Sequence, residues 1–552
     1  MRPIPTLTNA NKQEKRLIEF AGLNRNTLIG DNELSACFNL SSGHFPLISP
    51  RPSRQVAATL SGTPRGIIGT DKLAYVDGTV LYYNGVSAIT GLTAGSKTLI
   101  DFQGRILVFP DRVYYDYVED ETGTLEGYIP FERGEWDSDG VFQFNENKMA
   151  TFYQAILNAP SGTTNYTLTH KNTSITSGTA NIYDSSQNHL QQIHLTFSNV
   201  SGTMTATIAV SSLPTGYEFI NITLDGVDLD IKFQIAETVY PSAGKIPDFD
   251  YATVWNSRIW AVKGIELYAC AFGNANDWTT MLLPDGGIDP LGAYQSDDWY
   301  TQGDYTGIAT YANHVVLFKQ NFTFEMFGDT PINFSIVEVS KIGCIDHKSI
   351  KEVNSILFFL GVDGVYAFSG GRPQLVSYNL NEAYLGGVAG GDSRRYYISL
   401  NTSGSNYKLY VYDTFHGIWL REDTLRVVGF TNFNKKIYAL TNDGNVLLFG
   451  GGTETVSSSF ETKIFTDNIT NKKMYCKINA RVDLENGSEM KVYRKIDNNA
   501  YVLFKTFTTE NFRSVRMPIP INRADHFQLK FEFAGDYVFH ALEMRVGVGS
   551  DV

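Results

Sequence analysis

The sequence predicts an all-β chain: a six- or seven-bladed β-propeller with an inserted small β-sandwich domain and a C-terminal β-sandwich. Three observations lead there. Short strand pairs recur, and the later copies keep a constant step, because their first apolar strand residues, Val315, Ile356, Tyr396 and Ile437, lie 41, 40 and 41 residues apart, the length of a propeller blade. The recurrence breaks once, between the copy at Ile106 and the copy at Ile259, where 153 residues stand in place of one blade step. From about Thr453 the blade layout gives way to longer strands that alternate apolar and polar residues.

Taken in chain order, residues 1–65 form a non-repeating lead-in. Leu34, Cys37 and Phe38 have the spacing of one helix face, which predicts a short helix over Asn32 to Leu40. The following Pro46-Leu47-Ile48-Ser49-Pro50-Arg51-Pro52 is held extended by its prolines, as an arm that would lie across a neighbour, so Pro46 and Arg51 are candidate interface residues. Residues 66–150 are the first part of the propeller, with copies beginning at Leu73 and Ile106. Residues 151–244 are crowded with Thr, Ser and Asn, and runs such as Met204-Thr205-Ala206-Thr207-Ile208-Ala209-Val210 alternate at period two, which predicts the inserted sandwich. Residues 245–452 resume the propeller. Each late copy is an apolar run, a tight turn and a second apolar run, with Asp363-Gly364 and Asp443-Gly444 supplying the positive-φ residue that a short hairpin needs. Residues 453–552 form the C-terminal sandwich, with Lys, Arg and Glu at outward positions that discourage foreign strand pairing.

Composition narrows the function. The net charge of −13 argues against a protein that grips nucleic acid phosphates, although an acidic surface lets a phosphate backbone pass without sticking. The four cysteines, Cys37, Cys270, Cys344 and Cys476, are far apart and in no ligand pattern, so they read as reduced structural thiols. The first residues lack a signal-peptide core, and no run reaches the length of a membrane span, so the chain is expected to be made and to assemble in a cytoplasm and not to be an integral membrane protein.

Nothing in the sequence assembles a catalytic, cofactor or metal site, and the chain reads as no enzyme. Glu132, Glu135, Asp137 and Asp139 cluster beside Trp136, but a glycosidase pair needs carboxyls flanking one bond; a solvated loop, or a weak calcium site at Asp137 and Asp139, fits better. His189 and His194, five apart on a strand, are expected on opposite faces. Tyr412-Asp413 with Trp419, and the diglycines Gly370-Gly371, Gly386-Gly387 and Gly450-Gly451, echo a kelch blade without repeating it. The acidic-aromatic loop Asp297-Asp298-Trp299-Tyr300 lies between blades and reads as a subunit contact.

Several stretches carry a family likeness. Thr70 to Tyr82, Phe249 to Ala261, Tyr268 to Trp278, Val315 to Phe318 with Phe322 to Phe327, and Gly343 to Lys348 leading to Gly364-Val365-Tyr366 resemble the tail-nozzle or tail-hub β-propeller proteins of short-tailed bacteriophages, the group with the P22-type tail accessory (stabilisation) proteins. The likeness runs from about residue 69 to the C-terminus and leaves out 151–244. It implies a structural virion protein of the phage tail: a homo-oligomeric, hexameric ring joined to other tail, adaptor or portal proteins, through which DNA passes without specific binding during genome ejection. The alternative is a carbohydrate-binding receptor or adhesion protein of a phage tail, with the inserted sandwich engaging a host-surface glycan.

Overall fold

The computed structural model describes residues 12–125, 246–279, 281, 288–467, 472–508, 515–517 and 523–547, together with 132–133, 135–136, 141–143, 152–156, 165–170, 176–184 and 189–224. The described residues form an all-β protein with three short 3-10 turns.

Seven four-stranded antiparallel sheets carry the propeller-like part. The first runs Pro64–Gly69, Leu73–Asp77, Val80–Tyr83 and Val86–Ile89, and the second Thr98–Phe102, Arg105–Phe109, Val113–Asp116 and Glu121–Thr124. The third to sixth open on Tyr251–Trp255, Tyr305–Tyr311, Lys351–Val353 and Gly386–Gly391. The seventh takes Val427–Phe433, Lys436–Thr441 and Asn445–Phe449 from late in the chain, and its fourth strand, Arg54–Thr59, from the beginning. First strands of successive sheets lie side by side, and the first strand of the seventh sheet packs against that of the first; between the fourth and fifth sheets the turn His347–Ser349 makes the contact.

The anchors Leu73, Ile106, Ile259, Val315, Ile356, Tyr396 and Ile437 all fall on the second strand of their sheet. That strand is buried on both faces, so it reads as a continuous apolar run. Ile106 and Val108 pack toward the first sheet, while Leu107 and Phe109 pack toward the third. The expected turns hold their glycines at positive φ, 145° at Gly364 and 87° at Gly444. The hairpin between first and second strands uses other residues: Asn256-Ser257, Ala312-Asn313, Asn354-Ser355 and Asn434-Lys435 all sit at φ between 45° and 63°, a conformation that Asn tolerates better than most residues. At the crowded centre glycine permits close approach. A Cβ on Gly69 would lie 2.2 Å from the Asn432 carbonyl oxygen, and one on Gly390 would lie 2.4 Å from the Phe430 Cβ. Gly386-Gly387 thus belongs to a first strand, where it serves packing.

The insertion is two five-stranded sheets with their own core, including Leu168, Ile182, Ile208 and Ile222. It begins earlier than the composition shift at Thr151, since Glu132–Arg133 and Glu135–Trp136 are already strands of its two sheets. Strands of two residues leave no alternation to read. Within it a bulge at Leu190 turns His189 onto the same face as His194, because Tyr183 pairs with His189 and Thr179 with His194. Asp137 and Asp139 lie outside the described residues.

The C-terminal sandwich also draws on the chain's beginning. Lys12–Leu17 pairs with Tyr537–Gly547 in one sheet, and Leu34–Phe38 pairs with Ser457–Thr462 in the other. The expected helix over Asn32 to Leu40 is therefore a strand. A bulge between Leu34 and Ala36 brings Leu34 and Cys37 to the same buried face at a three-residue spacing that mimics a helix. One core runs without a break from the fifth and sixth sheets (Phe358, Tyr396, Trp419) into the sandwich (Phe460, Phe531, Phe539).

Candidate functional site

The acidic-aromatic loop follows the last strand of the third sheet, Tyr294–Asp297. Asp298 is its anchor: it pairs with Lys319 Nζ at 2.9 Å, and its Oδ1 accepts from the backbone N–H groups of Tyr300 and Thr301 at 3.0 and 3.2 Å. The Lys319 side chain is fully buried and its ammonium also donates to the Thr301 carbonyl at 3.1 Å. Burial works to raise the Asp298 carboxyl, but hydrogen bonds from Thr301 and Lys319 win and hold it below the ordinary range. Trp299 and Tyr300 then project into solvent, 77% and 99% exposed. Of the four loop residues expected at an interface, Asp298 stabilises the loop, Asp297 ends the strand, and the two aromatics are presented.

Pro46 and Arg51 are placed against the chain itself. The Pro46 carbonyl accepts from Phe20 N–H at 3.0 Å, and Ile48 bridges to Phe539 of the sandwich. Arg51 Nε donates to Asn39 Oδ1 at 2.7 Å, and its guanidinium lies 3.7 Å from Asp423. Beside it Arg54, at the start of the closing strand, holds Glu422 at 2.5 Å and Asp423 at 2.6 Å and stacks over the Phe449 ring at 4.4 Å. Tyr412 and Trp419 face each other across paired strands at 4.9 Å, and Asp413 binds the Arg394 guanidinium at 2.6 Å, so the kelch-like set stabilises the sixth sheet.

A site that sequence reasoning missed lies where the first strands meet. A cavity of about 490 Å³ is lined by Arg65, Lys97, Thr310, His347, Lys351 and Glu352 among others. A second cavity, of about 510 Å³, shares Arg65 and Lys348 with it and adds Asp346, Tyr407 and Arg426. His347 stacks on Tyr251 with ring centres 4.6 Å apart, and burial, helped by Lys348, pushes it down to about 4, so it is neutral at pH 7. Lys97 is matched by Asp111. The signal in the sequence is a cation at the start of four first strands: Arg65, Lys97 just before Thr98, Lys351, and Arg426 just before Val427. Among the described residues no group of His, Cys, Asp and Glu is arranged to hold a metal ion.

Neither a protein-family model nor a curated protein matches the sequence. Solved structures with some likeness include BamB from Moraxella catarrhalis, with 9% identity, 76% of this chain and 98% of that one covered, and a TM-score of 0.32. An exo-β-1,3-galactanase from Phanerochaete chrysosporium has 7% identity, coverage of 53% and 94%, and a TM-score of 0.22. The extracellular domain of the putative one-component system BT4673 from B. thetaiotaomicron has 10% identity, coverage of 90% and 86%, and a TM-score of 0.17. Scores this low carry no argument about activity, and the propeller-like reading rests on the sheets themselves.

Proposed function

We propose that the chain is a seven-bladed β-propeller serving as a structural protein of a bacteriophage tail, a nozzle or hub subunit whose copies form a ring with other tail, adaptor or portal proteins. The observation that carries this reading is the pair Trp299 and Tyr300, almost fully exposed on a loop that a buried ion pair holds rigid. Large exposed aromatics on an ordered loop are common anchors of protein interfaces. The stretches that resemble tail-nozzle proteins supply the class of assembly. The cavities of about 490 and 510 Å³ where the first strands meet are far too small for duplex DNA, so a conduit for the genome would be the opening enclosed by several copies.

Mass photometry with negative-stain imaging, over a range of concentrations, tests the reading. A ring with a central opening is expected, and Trp299→Ala with Tyr300→Ala should weaken its association at least tenfold, the effect of losing an interface anchor. A chain that remains monomeric at high concentration and fails to join tail components would overturn it. The insertion, with a core separate from the propeller, supports a second role as a glycan-binding module, which a host-surface glycan panel would test.

A further inference from the structure

The cations lining the central cavities are poorly matched by carboxylates. Arg65 Nη1 donates to the Gly95 carbonyl at 3.0 Å, and Lys348 Nζ donates to the neighbouring Ser96 hydroxyl at 3.4 Å. One cation comes from the first sheet and the other from the turn before the fifth, and both end on adjacent residues of one loop, neither of them a carboxylate. In the first cavity the Lys351 side chain forms no hydrogen bond or ion pair among the described residues, and burial lowers its affinity for a proton despite the nearby Glu352. At the mouth of the second cavity Arg426 rests on the Tyr407 ring at 4.9 Å. Two carboxylates line the same space. Asp346 accepts from the backbone N–H groups of Lys348 and Gly387, and Glu352 is exposed, so the cations outnumber the carboxylates by two.

These four cations, from the first sheet, the fifth and its approach, and the approach to the seventh, outnumber the two carboxylates beside them and repel one another, although a protein of net charge −13 has carboxylates in excess with which it could have paired them. Lys348 and Arg426 reach solvent, but leaving the partly buried Lys351 open costs stability unless something anionic is held beside it. The two cavities, which share Arg65 and Lys348, each have the size of a small-molecule site, with the Thr310 hydroxyl and the neutral His347 ring as further polar lining of the first. We propose that the centre of the propeller is a binding site for a small organic anion, whose phosphate or carboxylate groups are received by Arg65, Lys348, Lys351 and Arg426.

Isothermal titration calorimetry on the full chain, at matched ionic strength, tests this with pyrophosphate, glycerol 2-phosphate and citrate as probes. Binding of at least one is expected at one site per chain, and the ranking of phosphates against citrate identifies which anionic group is preferred. Lys348→Ala, an exposed position, and Lys351→Met should each weaken binding by tenfold or more. Lys351→Met should also raise the melting temperature of the free protein by removing an unpaired charge, which separates loss of a ligand contact from misfolding. No binding of any probe, or binding untouched by both variants, would overturn the proposal. So would binding of poly-glutamate alone, which would make the cavity a seat for an acidic protein segment.

Discussion

Arg54 fastens the strand that completes the seventh sheet, and Arg54→Ala is the most direct test of that role. Its side chain is 8% exposed and that of Glu422 is 7% exposed. Burial pushes the Glu422 carboxyl up, and Arg54 pulls the other way. Truncation leaves Glu422 and Asp423 adjacent and buried, with only Arg51 at 3.7 Å from Asp423. Removing one member of a buried pair costs about 3–5 kcal/mol, and the lost stacking on Phe449 adds to it. Urea denaturation followed by tryptophan emission should show that loss, and limited proteolysis should cut first near Arg54–Thr59. Arg54→Lys should fall between, because a point charge cannot reproduce a fork reaching two carboxylates. The triple variant Arg54→Met, Glu422→Gln, Asp423→Asn should recover most of the stability. A loss below about 1 kcal/mol for Arg54→Ala, the value of an exposed pair, would refute the reasoning.

Three further outcomes follow from the packing. Gly390→Ala places a methyl group 2.4 Å from the Phe430 Cβ and should cost about 1–3 kcal/mol as overpacking, read by the same denaturation. Asp298→Asn leaves the buried Lys319 without its carboxylate; a lower melting temperature and faster hydrogen exchange over 298–301 are expected, and unchanged exchange would separate the loop's order from the ion pair. His347 is depressed from 6.5 to about 4 by burial, so the unfolded chain takes up the proton first, and the stability contributed by the neutral ring is lost as pH falls from about 6.5 towards 4. That loss amounts to about 3 kcal/mol at most, since the ring borders the cavity, and His347→Asn should flatten this part of the pH profile.

The second strands were legible in the sequence because both of their faces are buried: the runs at Ile106, Ile356 and Ile437 have no polar face to break them. The first strands were not. Gly386–Gly391 is mostly glycine because its neighbours press on it, and Lys351–Val353 is three residues long. Lys12–Leu17, Leu34–Phe38 and Arg54–Thr59 escaped for another reason, since their partners lie hundreds of residues away, as with Ser35 and the Thr462 carbonyl. At Leu34 and Cys37 a bulge imitated a helical spacing. The loop at Trp299 was visible as aromatics set among acids in a connection. The central cations were not read as one set, because Arg65, the pair Lys348 and Lys351, and Arg426 lie far apart along the chain and meet only when the sheets come round, although several share a place at the start of a first strand.

The closing strand also sets an order of events during synthesis. Thr59 pairs with Asn445, and Lys12 pairs with Gly547, so the earliest strands emerge from the ribosome without partners. At about 5–20 residues per second, the strand at Thr59 waits roughly 20 to 80 s before Asn445 exists. Until then the nascent chain exposes unpaired strand edges, and the seventh sheet and the C-terminal sandwich can be completed only once Asn445 and Gly547 have been made. A holdase that masks those edges would raise the yield of folded protein, and slowing translation after Thr453 would do little.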